Sequence, residues 1–247
     1  MMMREGFQIS AQVFDAGEVD DFTRRLDAAP LSRSRAGVRH LLRFEPVSQL
    51  GRDSRMMQLA AAALGGTPFL FGATLFDKSP DSNWLVSWHQ DTALPLAERR
   101  DHAGWGPWSA KDGVIYAHAP AAALEQVVAL RLHLDDSTAS NGPLRVLPGT
   151  HRSGVLSDAQ VHAEARRTIS TSCVAERGDV LVMHPLLIHA SSKAVSGAPR
   201  RVVHFEYSST REFPGGMRLP NENGLSTPVD SPFALSALRS GSIQVPT

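Results

Sequence analysis

Gly178-Asp179-Val180-Leu181-Val182-Met183-His184-Pro185 is a turn followed by a continuous apolar run, the pattern of a buried β-strand. Other short runs rich in β-branched and aromatic residues share this pattern, and Gly, Pro, Asn and Asp separate them. They are 69–76, 84–88, 113–117, 127–134, 144–147, 172–175 and 202–207. Many short strands with frequent turn signals predict a β-sandwich or barrel rather than alternating strand and helix units.

Two helical segments precede the strands. Residues 15–29 carry Val19, Phe22 and Leu26 at three- and four-residue spacing, which predicts an amphipathic helix. Residues 53–64 are rich in Ala, Leu and Met, and a pair of glycines follows them as a stop signal. The fold class that we predict is therefore mainly β with flanking helices.

This order of segments predicts a single domain over residues 1–247. A helical part would cover about 1–66, a β core about 67–208, and an arm rich in Pro, Gly, Ser and Asn the remainder, 209–247. Segment 92–112 is polar and interrupted by Gly and Pro, so we interpret it as a long loop. Whether this loop closes over a pocket as a lid is left open by the sequence.

The composition predicts a globular protein with a small-molecule partner. Hydrophobic residues make up 42% of the chain, and 25 basic residues balance 25 acidic ones. No net charge therefore attracts nucleic acid or an anionic membrane, and no apolar run is long enough for a membrane span. One cysteine, Cys173, excludes an internal disulfide and a thiolate zinc site, so we expect a buried, inert thiol. We predict a cytoplasmic location and a monomer or weak homodimer.

The triplet His89-Gln90-Asp91 places an imidazole and a carboxylate two residues apart at the end of a strand. Residues i and i+2 of an extended chain point to the same side, so both side chains can face one ion. His189 follows 98 residues after Asp91 and supplies a third ligand. Two histidines and one carboxylate suit Fe(II), Mn(II) or Zn(II), and on one side of a metal they leave the other positions open.

Two adjacent arginines begin the strand 202–207, eleven residues after His189. A guanidinium near a metal can bind a carboxylate through two parallel hydrogen bonds. Arg200 and Arg201 point to opposite faces, so only one of them can line a pocket. Even positions from Arg200 to Glu206 are the more polar set, which favours Arg200 as the carboxylate ligand.

Motifs between residues 70 and 208 stand in an order that resembles a known enzyme family. The most specific is Asn141-Gly142-Pro143-Leu144-Arg145-Val146-Leu147-Pro148-Gly149-Thr150-His151. The others are His89-Gln90-Asp91, residues 128–136, Gly178-Asp179, His189-Ala190-Ser191 and Pro199-Arg200-Arg201. The chain resembles the phytanoyl-CoA dioxygenase family of Fe(II)/2-oxoglutarate-dependent oxygenases. This resemblance implies a double-stranded β-helix, that is, a jelly-roll or cupin-like core, supported by the N-terminal helices.

The resemblance also assigns roles by position. It implies that His89, Asp91 and His189 bind iron, that Arg200 binds the distal carboxylate of 2-oxoglutarate, and that Ser191 assists Arg200. The cofactors would be Fe(II), 2-oxoglutarate as cosubstrate and O2, with ascorbate as a candidate reductant. Beyond the metal ligands no protein acid or base is expected, because the metal carries the oxygen chemistry.

Further side chains are candidates for contact with small molecules. Arg131 occupies a position where the family often contacts the cosubstrate, and His133 alternates with it along one strand. Trp105 and Trp108 lie in segment 92–112, where covering the substrate pocket and packing on the fold are both open. Trp84 and Trp88 are expected in the core.

The implied reaction is hydroxylation of an unactivated C–H bond in a small molecule, with release of succinate and CO2. Related halogenases replace the carboxylate ligand by a small residue, so Asp91 favours hydroxylation. One alternative is a cupin-like hydrolase or isomerase that binds a metal but no 2-oxoglutarate. The other is a non-catalytic binding module on the same barrel. Intact candidate ligands argue against the second, and Arg200 argues against the first.

Overall fold

The computed structural model describes residues 3–31, 37–79 and 82–220. Residues 221–247, most of the predicted arm, lie outside the described part. The helices are α1 (Ala16–Ala28), α2 (Glu45–Gly51), α3 (Ser54–Leu64), α4 (Ala121–Leu124) and α5 (Asp158–Arg167). The strands are β1 (Phe7–Ser10), β2 (Phe69–Lys78), β3 (Val86–His89), β4 (Ala93–Leu96), β5 (Trp108–Lys111), β6 (Val114–His118), β7 (Val127–His133), β8 (Leu144–Val146), β9 (Thr171–Cys173), β10 (Val180–Met183), β11 (His189–Ser191), β12 (Arg200–Ser208), β13 (Glu212–Phe213) and β14 (Met217–Arg218).

Two antiparallel sheets form the core. The major sheet has the order β1-β10-β7-β12-β2, and the minor sheet has the order β3-β11-β8-β9. Except for β8 and β9, neighbouring strands in both sheets are not consecutive in the sequence, as in a jelly roll. The mainly β fold class is confirmed, and every run predicted as a strand overlaps one. No helix in the described ranges is long and apolar enough to cross a bilayer.

The turn at Gly178 fixes how β10 enters the major sheet. Gly178 has a φ of +90°, and a Cβ there would lie 2.1 Å from the carbonyl oxygen of Phe14, so only glycine fits. The carboxylate of Asp179 accepts hydrogen bonds of 2.8 Å from the backbone N–H groups of Gln12 and Glu176. β10 then continues between β1 and β7. The glycine and the aspartate therefore have structural roles.

The two faces of the major sheet have different environments. Leu130, Val203 and Phe205 are fully buried in one cluster with side chains of α1, α2 and α3. Tyr207 belongs to the same cluster, and its hydroxyl donates to the carbonyl of Gly51 at 2.7 Å. Burying one such side chain contributes about 1.5–3 kcal/mol. The helices thus support the outer face, and the alternate residues of the same strands face the barrel interior.

Both predicted helices are confirmed to within one residue at each end. In α1, Asp15 and Glu18 form a reciprocal capping box, which explains the sharp start of the helix. α5 was not predicted, because Val161 is its only buried residue and its apolar pattern is weak. Cys173 is buried and free, and burial raises the pKa of its thiol to about 12, as expected for an inert thiol.

The interpretation of 92–112 as one long loop is wrong. β4 and β5 both lie in this segment and pair with β6 as a three-stranded sheet. Leu94 and Leu96 of β4 are buried in a second core cluster. Pro95 argued against a strand because proline has no backbone N–H to donate. β4 tolerates it because β4 is an edge strand, where one side of the backbone pairs with no other strand.

Candidate functional site

Strands β3 and β11 of the minor sheet bring the predicted ligands together. His89 and His189 face each other in the antiparallel register, and their ring centroids are 4.2 Å apart. The carboxylate of Asp91 lies 3.5 Å from Nε2 of each histidine. One ligand atom from each of the three residues lies within 4.8 Å of the others, which is compact enough for a single metal ion.

Backbone carbonyls orient both imidazole rings. Nδ1 of His89 bonds to the carbonyl of Ser87 at 2.8 Å, and Nδ1 of His189 bonds to that of Leu187 at 2.9 Å. Because a carbonyl can only accept, each Nδ1 carries a proton, which leaves Nε2 as the nitrogen that can bind a metal. Metal-binding histidines are held in this way in many proteins.

Asp91 and His189 have the protonation states that ligands need, whereas in His89 the hydrogen bond and charge of Asp91 outweigh burial and raise the pKa, so a metal would displace a proton there. Burial alone would raise the pKa of Asp91, but His189 and His89 outweigh it and hold this pKa far below its usual range. Burial lowers the pKa of His189 to about 4, so its ring is neutral near pH 7. A carboxylate and a neutral imidazole can both donate electron pairs to a cation.

Gln90, between the candidate ligands His89 and Asp91, fixes the backbone of this segment through its side chain. Its side-chain amide donates to the carbonyls of Gly154 at 2.9 Å and Leu186 at 2.8 Å. Its side-chain oxygen accepts from the N–H of Leu156 at 2.8 Å. The hydrogen bonds of Gln90 therefore position both candidate ligands.

A small cavity of about 70 Å³ opens from the triad toward Arg200, which is only 3% exposed. The Nη2 of Arg200 lies 3.5 Å from the Oγ of Ser191, and its Nε is buried without a hydrogen-bond partner among the described residues. Ser191 donates to the carbonyl of Gly142 at 3.2 Å. A buried guanidinium with an unsatisfied donor is typical of a site that binds an anion.

The turn at Asn141 and Gly142 supports Ser191. The side chain of Asn141 accepts from the N–H of Thr138 and donates to the carbonyl of Asp136, at 2.8 and 2.7 Å. A Cβ at Gly142, whose φ is +71°, would lie 2.4 Å from the carbonyl oxygen of Ser192. The most specific family motif thus begins with a turn that holds the floor of the small cavity.

Lys78 is a second buried cation, which the sequence pattern did not single out. It pairs with Arg200 in the register of β2 and β12, and its Nζ donates to Oγ of Ser191 at 2.8 Å and to the carbonyl of Ser192 at 2.6 Å. Burial, and then the charge of Arg200, lowers the pKa of Lys78 to about 8. The available signal was a lysine at the end of a mostly apolar strand.

Arg201 faces the other way. Its guanidinium forms ion pairs with Asp135 at 2.9 Å and Asp27 at 3.1 Å, outside the barrel. These carboxylates, above all the hydrogen bond from Arg201 to Asp135, raise its pKa further. Only Arg200 of the two arginines lines a cavity next to the triad.

Arg131 lies between the triad and Arg200. It is buried, lines the small cavity, and donates from Nη1 to Nδ1 of His204 at 3.1 Å. Its guanidinium also lies 4.9 Å from the ring centroid of Phe76. Trp84, which we expected in the core, is half-buried and lines the same cavity.

The triad also borders a larger cavity of about 330 Å³. Glu206, Tyr116, Arg39 and Lys111 line it together with His89 and Asp91. The sequence pattern singled out none of the first four, because each comes from a different element. This second cavity has the volume of a small-molecule site.

Three candidate substrate residues lie elsewhere. Trp105 is buried in the second core cluster, and its ring centroid lies 5.6 Å from that of Phe213. Trp108 is partly buried and packs against the same cluster. The Nδ1 of His133 lies 3.3 Å from the backbone carbonyl of Asp179. None of the three lines either cavity at the triad. A pattern of aromatic residues in one segment did not distinguish packing from binding.

Comparisons with known proteins agree with this geometry. The model of the family "Phytanoyl-CoA dioxygenase (PhyH)" matches residues 2–202. L-proline trans-4-hydroxylase of Streptomyces griseoviridis is 26% identical over 218 residues, which cover 78% of this chain and 69% of that protein. Ectoine dioxygenase of Halomonas elongata is 30% identical over 120 residues, 49% of this chain and 29% of that protein.

A solved structure supports the fold independently. The structure of EctD from S. alaskensis with 2-oxoglutarate and 5-hydroxyectoine superposes with a TM-score of 0.64 at 19% identity, covering 83% of this chain and 73% of EctD. At this identity the likeness concerns the fold alone. Because the family model spans most of the sequence, the chain belongs to the phytanoyl-CoA dioxygenase (PhyH) family.

Proposed function

We propose that this chain is an Fe(II)- and 2-oxoglutarate-dependent oxygenase in which His89, Asp91 and His189 hold the iron and Arg200 anchors 2-oxoglutarate. The reaction hydroxylates an unactivated C–H bond of a small molecule and releases succinate and CO2. The observation that carries the proposal is a compact triad of metal ligands next to a buried arginine with an unpaired donor.

The three ligands fit Fe(II) by their chemistry. One carboxylate and two imidazoles that bind through Nε2 form the facial donor set of non-haem Fe(II) oxygenases, which leaves positions for other ligands. When bound, iron supplies the redox chemistry that couples oxidation of 2-oxoglutarate to substrate hydroxylation. The chain contributes the orientation of the donors, through the carbonyls of Ser87 and Leu187.

Arg200, Ser191 and Lys78 form the anchor for the distal carboxylate of 2-oxoglutarate. Arg200 offers two parallel donors, and the Ser191 hydroxyl lies between the two cationic groups. Arg131, on the triad side of the same cavity, offers donors to the remaining polar end of the cosubstrate. The rival function, a metallohydrolase or isomerase without 2-oxoglutarate, gives this buried cation pair no role.

The larger cavity holds the primary substrate. The relatives are named for L-proline and ectoine, which supports a substrate of comparable size, and a volume of about 330 Å³ is sufficient for one. A cytoplasmic location, a monomeric or weakly dimeric state, and the lack of nucleic-acid and membrane partners stay predictions of the sequence. So does the organisation of the chain as one domain.

Anaerobic titration tests the proposed function. The protein, loaded with Fe(II), should develop a weak visible charge-transfer band when 2-oxoglutarate is added, and air should then release succinate. A sample loaded with Zn(II) controls for binding without redox chemistry and should give neither signal. A folded, iron-loaded protein without the band would contradict the proposal.

A further inference from the structure

Glu206 presents an unpaired carboxyl group to the larger cavity. It lies on β12, on the face that carries Arg200 and His204, and it lines the cavity wall. Within the described ranges its side chain forms no hydrogen bond or ion pair, whereas Asp91, the other carboxylate of this cavity, has two histidines beside it. Nothing in the proposed role of the metal centre uses Glu206.

Ionisation of this half-buried carboxyl group is costly without a cationic partner. Burial, and then the charge of Asp91, raises the pKa of Glu206 to about 8 against a smaller lowering by Lys111, so the group is mostly protonated near pH 7 and a bound cation would favour its ionised form. Buried polar groups in proteins are normally paired, and an unpaired one calls for a ligand or another specific reason. His204, two residues earlier on the same face, solves the same problem internally by accepting a hydrogen bond from Arg131.

The backbone makes room for this carboxylate. Glu206 is paired with Gly72 in the register of β12 and β2. A Cβ at Gly72 would lie 2.4 Å from Oε2 of Glu206 and 3.2 Å from its Cδ. Any other residue at position 72 would therefore push the Glu206 side chain into a different orientation.

Cationic side chains line other parts of the same cavity. Arg39 and Lys111 both contribute to its wall, and Nζ of Lys111 lies 4.9 Å from the ring centroid of Tyr116. The cavity therefore offers one carboxyl group that a bound cation would ionise, together with cationic side chains on other parts of its wall. A molecule with both a cationic nitrogen and an anionic group complements this arrangement.

We infer that the primary substrate carries a protonated amine and that Glu206 binds it beside the metal centre. This inference rests on the proposed function, because it assigns the larger cavity to the primary substrate. Glu206 is then a residue that determines specificity. A polar site built around a charge rejects analogues without the matching group far more strongly than an apolar pocket rejects a size difference. A neutral hydroxyl compound would bind more weakly, because only the amine forms a charge-assisted pair.

Two fragments of similar size test the inference: pyrrolidinium, which is cationic at neutral pH, and cyclopentanol, which is a neutral hydroxyl compound. Their dissociation constants are measured by NMR titration of the Zn(II)- and 2-oxoglutarate-loaded protein. We expect pyrrolidinium to bind at least about 10-fold more tightly, and Glu206→Gln to remove this preference. Equal affinities in the wild type, or a preference that survives in Glu206→Gln, would overturn the inference.

Further variants separate charge, position and folding. Gly72→Ala keeps the charge but displaces the carboxylate, so it should weaken the preference as well. Glu98→Gln, at an exposed surface glutamate, should leave it unchanged. The anaerobic band with Fe(II) and 2-oxoglutarate is recorded for the same preparations. A band without the preference overturns the amine assignment alone, and a missing band removes the proposed function and this inference with it.

Discussion

Strand β12 has two faces with opposite character, although they alternate along the same nine residues. On the outer face, Val203 and Phe205 are fully buried against the N-terminal helices. On the inner face, Arg200, His204 and Glu206 point toward the triad and its two cavities. The period of two along a strand therefore separates the residues that pack against the helices from those that line the two cavities.

Arg200 and Arg201 show the same difference within one pair of identical residues. Arg201 is satisfied by Asp135 and Asp27 outside the barrel, whereas Arg200 is buried and its Nε has no partner in the described structure. Both residues are arginines, and they differ only in the face of β12 to which they point. The environment of an arginine, rather than its presence, indicates a ligand.

The largest expected effect is on iron binding and turnover, when the carboxylate of Asp91, the candidate metal ligand next to the inner face, is removed. Asp91→Ala should lower iron retention and succinate formation to the background of a metal-free sample, because two histidines alone leave an incomplete donor set. Metal content and succinate release after desalting measure this. Asp101→Ala, at an exposed aspartate, is the control and should behave as the wild type. Iron-dependent turnover in Asp91→Ala would remove this residue from the ligand set.

The next largest effect is a loss of stability from a substitution on the outer face of β12. Phe205→Ala should lower the free energy of unfolding by about 3–5 kcal/mol, since it leaves a cavity under the helices. Urea denaturation measures this loss, and Leu85→Ala, at an exposed position, should change stability by less than about 0.5 kcal/mol. The affinity of the folded Phe205→Ala protein for 2-oxoglutarate should equal that of the wild type. A parallel loss of affinity would show that the two faces are not separable.

The two arginines provide a direct comparison of the faces. Arg200→Ala should weaken 2-oxoglutarate binding about 10- to 100-fold, because a charge-assisted pair contributes roughly 1.5–3 kcal/mol. Arg201→Ala removes an ion pair on the outside and should leave this affinity nearly unchanged. Anaerobic titration of the visible band gives both dissociation constants. The reverse order would mean that the sequence pattern and the geometry identify the wrong arginine.

Much of the fold could be predicted because its signals are local. Apolar runs between turn residues indicate the strands, and the i, i+2 spacing of His89 and Asp91 is enough to place both side chains on one side of the chain. The cavity residues Lys78, Trp84 and Glu206 could not be found in this way. Each lies on a different segment, and its role depends on which strands are neighbours in the sheet. The strands in 92–112 were missed because their edge position tolerates polar and proline-containing sequences.

The smallest expected effect is a pH dependence of the free energy of unfolding, to which His184 and Glu206 contribute with opposite sign. His184 is buried, and its Nδ1 accepts a hydrogen bond from the N–H of Leu186 at 3.0 Å, which requires a neutral ring. Burial, and then His151, lowers the pKa of His184 to about 4, whereas an unfolded histidine has a pKa near 6.5. The unfolded chain therefore binds more protons between these values, so stability falls as the pH decreases from about 6.5 to 4, by at most about 1.4 kcal/mol per pH unit for this ring.

Glu206 has the opposite sign, because its raised pKa of about 8 means that the folded protein binds the extra proton, and stability falls as the pH increases from about 4.5 to 8. Urea midpoints of the metal-free protein at pH 5 and pH 6.5 separate the two groups. His184→Gln should flatten the rise of stability with pH, Glu206→Gln should steepen it, and His162→Gln, at an exposed position, should leave it unchanged. If His184→Gln and His162→Gln gave equal slopes, burial of His184 would not be a source of acid sensitivity. If Glu206→Gln flattened the rise of stability with pH, the carboxylate of Glu206 would already be ionised in the folded protein. The contrast between paired polar groups on the outer face and unpaired ones on the inner face would then not extend to Glu206.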